Sequence, residues 1–155
     1  MVQIVDNNWD HHDRIDTLLP AATRVIDRPV AALVRDLKER GLLDETLVVF
    51  ATEFGRTPIA QEFGTNGIKS APGRDHQRDA FSVWLAGAGV ARGTVHGRTD
   101  DLGHKVVEDP VHVHDLNATL LHLLGLDHRR VTYRYEVRDH RLTDVHGNIV
   151  HGLLA

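Results

Sequence analysis

Three short motifs carry the side chains best suited to chemistry, and the chemistry they suit is metal binding. Asp10-His11-His12 follows the apolar run Val2–Val5. Carboxylate and imidazole are hard-to-borderline ligands that suit zinc, manganese or iron. In an extended segment positions i and i+2 point the same way, so Asp10 and His12 can share one ion while His11 faces elsewhere. Glu53 stands just past Leu47-Val48-Val49-Phe50, within LVVFATEFGRTP, and Arg56 follows three residues on. Gly73-Arg74-Asp75-His76 precedes a third apolar run, Ala80–Ala86. There Gly73 lets the backbone turn, Arg74 can grip an anion bidentately, and His76 can ligate with Asp75 in support. Asp10, His12, Glu53 and His76 thus form a candidate metal set drawn from three strand ends, with Arg56 and Arg74 as candidate anion-binding groups.

Each motif also has a plainer reading. Asp10 can simply orient a neighbouring imidazole in a polar loop. Glu53 at a strand end needs a cation or hydrogen bonds, and a salt bridge to Arg56 satisfies that without any metal. Among the other histidines, His112 and His114 adjoin Asp115, whose capping of a helix explains their neighbourhood. His122 falls within an amphipathic helix. His128, His140, His146 and His151 lie in polar tail segments and are expected to face solvent. Trp9 and Trp84 are read as packing residues.

Composition bounds the rest. The chain has 155 residues, 41% of them apolar and 26% charged, as expected of a single domain. A net charge of −4 gives no electrostatic reason to expect nucleic acid or an anionic membrane as partner. No apolar run approaches the length of a membrane span, and MVQIVDNNWD does not read as a signal peptide. The chain as it stands is therefore expected to be cytoplasmic. With no cysteine, any metal must be held by oxygen and imidazole.

The elements that must position these groups follow from patterning. Val2–Val5 reads as a strand running into a polar loop, and a strand at the first residue suggests a fragment. Val30, Leu33, Val34 and Leu37 repeat at helical spacing, with Asp27 as cap, Pro29 in the first turn and Gly41 at the C-terminal end. Arg14–Ile26 reads as an earlier helix broken or kinked at Pro20. Leu47–Ala51 reads as a strand buried on both faces, completing a right-handed βαβ unit. Glu53–Asp79 shows no periodicity and reads as a long loop, of a kind that is usually functional or disordered. Ala80–Ala86 is a third strand. A second helix starts near His114-Asp115, carries Leu116, Leu120, Leu123 and Leu124, and ends at Gly125. Val131–Leu154 alternates loosely, with Asp144–Asn148 as a hairpin turn.

WDHH, LVVFATEFGRTP, GRDH…AFSVWLAGAGV and HDLNATLLHLLGLDH together resemble an uncharacterised, sulfatase-like family of the alkaline phosphatase superfamily. The last stretch looks like a sulfatase segment in which Asp-Leu leads into an Ala/Pro-Thr-Leu-Leu helix. The resemblance implies an α/β fold: part of an alkaline-phosphatase-like, mostly parallel sheet with flanking helices and a C-terminal hairpin, in one domain over residues 1–155. It implies one metal held by Asp10, His12 and His76, with Asp10-x-His12 tighter than the family's usual spacing. A second metal site is weakened, because Glu53-Phe54-Gly55 stands where the superfamily has Asp-His-Gly and Phe54 cannot ligate. One divalent ion (zinc, manganese or calcium) is thus expected rather than two. The superfamily's nucleophile belongs to an N-terminal half that has no counterpart here, and full-length relatives would be exported.

The leading expectation is the C-terminal, metal-binding portion of a hydrolase acting on sulfate or phosphate esters, inactive alone. Glu53 would serve as a fourth or bridging ligand. An alternative is a non-catalytic remnant or interaction fragment, which would self-associate through an unpaired sheet edge. A third is a mononuclear iron protein, since two histidines and one carboxylate can form an oxygenase-type triad.

Overall fold

A computed structural model describes residues 1–63 and 69–155; residues 64–68, in the stretch read as a loop, lie outside the described residues. The order of elements is α1 (Ile15–Glu39), a 3-10 turn (Leu43–Glu45), β1 (Val48–Phe50), β2 (Gly55–Phe63), β3 (Lys69–Gln77), β4 (Trp84–Ala86), β5 (Arg98–Thr99), β6 (Val106–Glu108), α2 (Val113–Leu123), β7 (Thr132–Tyr135), β8 (Arg138–Arg141) and a last 3-10 turn (His151–Leu153).

The strands form four separate two-stranded antiparallel sheets, β1 with β4, β2 with β3, β5 with β6 and β7 with β8. The expected mostly parallel, alkaline-phosphatase-like sheet is therefore overturned, and with it the βαβ crossover. The reason lies in the connections. The chain runs out along β1 and β2 and returns along β3 and β4, pairing Phe50 with Trp84 and Gly55 with Gln77. A direct return of this kind can only be antiparallel, because parallel neighbours need a crossover. The aperiodic stretch after Glu53 is thus largely the β2–β3 ribbon. Thr57, Pro58 and Ile59 fall in a register shift between Arg56 and Ala60, which hides the alternation of β2. Val2–Val5 forms no strand; Val2 is 89% exposed and Ile4 84%.

The helix ends were legible, their starts less so. α1 is one helix of 25 residues with Pro20 and Pro29 inside it, so Asp27 caps nothing. Gly41, at φ +70°, closes it with a paired motif, Leu42 N–H donating to Leu37 O and Gly41 N–H to Lys38 O. Gly125 ends α2 the same way, through Leu126 N–H to Leu121 O and Gly125 N–H to His122 O. The N-cap of α2 is His112, whose Nδ1 accepts from His114 N–H at 3.2 Å. Asp115 closes the reciprocal half of the box on His112 N–H.

Burial is concentrated at the C-terminal end, where Ala118, Thr119, His128 and Thr143 are all at most 3% exposed. His128, expected at the surface, bonds Thr143 Oγ1 at 3.0 Å through Nδ1. The C-terminal hairpin exists, but its turn is Glu136-Val137, with Glu136 at φ +52°. Gly147 instead packs against α2: a Cβ there would lie 3.0 Å from His114 O and 3.2 Å from Ala118 Cβ. Elsewhere the molecule is open. Its accessible surface of 11612 Å² compares with about 7,800 Å² for a monomer of this mass. No helix of the described residues is long and apolar enough to cross a membrane.

Candidate metal centre

The β2–β3 ribbon is the platform. Its register sets Arg56 opposite His76 and Gln61 opposite Gly73. The segment carrying Asp10 and His12 runs beside β3 without forming a strand, joined to it by backbone hydrogen bonds and one isolated bridge. Arg74 N–H donates to His11 O and Arg14 N–H to Ala71 O, both at 3.0 Å, and Asp13 bridges Pro72. Gly73 permits this approach. A Cβ on it would collide with the carbonyl of His12, so any larger residue pushes the ligand segment off the ribbon. The sequence singled out this glycine for turning the backbone; its actual role is to make room.

Three ligand atoms from this framework converge. His12 Nε2 and His76 Nε2 each stand 2.9 Å from Asp10 Oδ1 and 3.0 Å from each other. Asp10, His12 and His76 form the one group of three or more metal-capable side chains among the described residues. The edge length is informative. Ligands about 2.1 Å from an ion and at right angles to one another stand about 3.0 Å apart, whereas tetrahedral ligands stand about 3.4 Å apart. Edges of 2.9–3.0 Å are hydrogen-bond lengths, and an ion about 2.1 Å from three ligands at right angles fits a triangle of the same size, as in a two-histidine, one-carboxylate site that leaves positions open.

Neighbouring groups hold each ligand. Arg56 Nη1 donates to Asp10 Oδ1 at 2.6 Å, and Nη2 reaches Trp9 O at 3.4 Å. The His76 ring N–H donating to Asp10 is the main cause that keeps its carboxyl below the usual carboxylate range; burial opposes it, and Arg56 and His12 add to the lowering. Phe54 lies beneath both partners, its ring 4.4 Å from that of His76 and 5.3 Å from the Arg56 guanidinium carbon. His12 Nδ1–H donates to Gln61 Oε1 at 2.8 Å. The backbone N–H of His76 donates to Asp75 Oδ1 at 2.7 Å.

Asp10, His12 and His76 are thus brought together as expected. Glu53 stands apart from the triangle, with its carboxylate 63% exposed and 3.7 Å from Arg56 Nη2. Arg56 adjoins the site but is occupied with Asp10. Arg74 serves the scaffold, its backbone N–H on His11 and its Nη1 on Gly73 O. His11 turns away, as its place between Asp10 and His12 implies; it is 8% exposed, and its Nε2 is buried without a partner among the described residues. Two contributors were not anticipated. Phe54 was read only as a lost ligand, and Gln61 lies in a stretch without periodicity, so nothing marked it.

No curated protein and no solved structure matches the chain. A family model does match, over residues 1–154, and it is not that of the sulfatases or the alkaline phosphatase superfamily. The resemblance to those proteins is thereby overturned. The stretch that carried most of it, HDLNATLLHLLGLDH, forms a capped amphipathic helix with a glycine stop. That pattern reports local helix chemistry and no particular fold. The chain belongs to the family described as protein of unknown function (DUF1501).

Proposed function

We propose that this chain holds one divalent metal ion between Asp10, His12 and His76, as the metal-binding part of a hydrolase acting on sulfate or phosphate esters. The observation that carries the reading is the triangle of ligand atoms with edges of 2.9–3.0 Å. Asp10 and His12 also have hydrogen-bonded neighbours, Arg56 and Gln61, as ligands of a metal usually do. A bound ion would polarise an anionic ester and acidify water. Arg56, positively charged and beside Asp10, adds to the attraction for an anion. The nearby hydroxyls of Thr52 and Thr57 are engaged by the backbone at Phe54 and Ile59. Neither supports a protein nucleophile, so the chain by itself is expected to bind metal without turning over an ester.

The test is calorimetric titration of the full chain with Mn²⁺, Co²⁺ and Zn²⁺. Saturable binding with one ion per chain is expected, and about 2.7 kcal/mol of added stability at a hundredfold excess over Kd. No binding by any of the three ions would refute the metal reading. Metal-dependent turnover of an aryl sulfate or phosphate by the isolated chain would refute its inactivity alone.

The donor set of two histidines and one carboxylate supports a second reading, a ferrous centre of that type. Elemental analysis of protein purified without added metal separates the two. A Co²⁺ derivative reports coordination number, since six-coordinate Co²⁺ absorbs visible light weakly and four-coordinate Co²⁺ strongly.

A further inference from the structure

His12 can ligate through Nε2 only while that nitrogen keeps a lone pair. In a neutral imidazole one nitrogen carries the proton, and the hydrogen bond at the other decides which. Here Nε2 faces Asp10 Oδ1 at 2.9 Å and His76 Nε2 at 3.0 Å, while Nδ1 faces Gln61 Oε1 at 2.8 Å. Gln61 is 49 residues away in the chain and reaches His12 because it pairs with Gly73, the residue against which the His12 backbone rests. The bond is half-buried, and the His12 side chain is 17% exposed, so water competes weakly for Nδ1.

We infer that Gln61 is a positioning residue for the metal centre: its amide oxygen holds the His12 proton on Nδ1 and aims the Nε2 lone pair into the triangle. This rests on the metal-site reading above and adds a residue that never touches the ion. Gln61 does the work usually given to a carboxylate or backbone carbonyl behind a metal-bound histidine, and such partners are typically worth 10–100-fold in metal affinity. Being neutral, the amide orients the ring without adding charge. A glutamate there would keep the acceptor and raise the basicity of the ligand.

Two measurements on the full chain test this separately from the metal reading. Nitrogen-15 NMR of the His12 ring, at a pH where its imidazole is neutral and without metal, should show the Nδ1–H tautomer in the wild type. Gln61→Leu should shift it toward Nε2–H, and Gln61→Glu should restore Nδ1–H. In Mn²⁺ and Co²⁺ titrations Gln61→Leu should lose 10–100-fold in affinity, with Gln61→Glu at or above wild type. A tautomer unchanged in Gln61→Leu overturns the inference. A wild-type affinity unchanged in Gln61→Leu does the same. A wild type that shows the Nδ1–H tautomer yet binds neither ion supports Gln61 as the orienting group and overturns the metal reading alone.

Discussion

Two polar regions of this chain contain histidine, threonine or carboxylate at close quarters, and they are built on opposite plans. In the C-terminal unit polar groups are buried and paired. His128 and Thr143, 3% and 0% exposed, bond each other. Thr119 Oγ1 accepts from Val150 N–H at 2.9 Å and donates to Asp115 O at 2.7 Å. Asp115 in turn accepts from Asn148 N–H at 2.7 Å, tying the segment after β8 onto α2. On the β2–β3 ribbon polar groups converge in the open instead, with the Asp10 side chain 62% and that of His76 44% exposed. Three atoms able to ligate a metal crowd one point there. A network whose donors and acceptors are paired and buried acts as structure; side chains of this kind that converge in the open make a candidate site.

The difference can be broken most forcefully at its glycines. Gly73→Ala should drive the His12 segment off the ribbon, costing about 3 kcal/mol or more and removing metal binding entirely. Gly147→Ala, at φ +98° and against α2, should cost about 1–3 kcal/mol and leave metal affinity unchanged. Thermal melts and calorimetry on both variants check the pair.

Side-chain substitutions should separate stability from binding more cleanly. Thr143→Val leaves the buried His128 Nδ1 without its partner and should cost about 1–3 kcal/mol with metal affinity intact. His76→Ala removes a ligand from an exposed place; it should lower metal affinity at least 100-fold while shifting the melting temperature little. Equal effects of the two variants on both measurements would erase the distinction.

The smallest effect concerns pH. Because the Asp10 carboxyl is held low in the folded chain by His76 and Arg56, its ionised form stabilises the fold. That contribution is present above the ordinary carboxylate value of about 4 and is lost as pH falls through the lower folded value. The stability difference between wild type and Asp10→Asn, measured without metal by urea unfolding, should therefore shrink as pH falls from the ordinary carboxylate range toward pH 3. At an exposed position it should stay below about 1 kcal/mol.

What could be read in advance followed how local the cause was. The stops at Gly41 and Gly125 were legible because a left-handed C-terminal glycine follows from one residue's missing Cβ. Asp10 and His12 were legible as a pair because two residues apart in extended backbone share a side. Pro29 misled, since a proline suited to a first turn is also tolerated within a long helix that other contacts hold. Val48-Val49-Phe50 misled too. So short an apolar run fits a buried parallel strand and a half-buried ribbon equally well, and its pairing with Trp84-Leu85-Ala86 depends on a return path 33 residues long, from 51 to 83.

By itself the sequence determined the chemistry on offer: oxygen and imidazole ligands, no thiolate, an Asp-x-His pair, and a glycine three residues before His76. Only the tertiary structure decided that the sheets are antiparallel, that Glu53 stands aside, that His128 is buried, and that Gln61 backs His12. Ligand type is a property of single residues, whereas pairing register is set jointly by segments far apart in the chain. A shift of one residue along β3 would take His76 away from Arg56 and Gln61 away from Gly73, with every residue of the sequence unchanged.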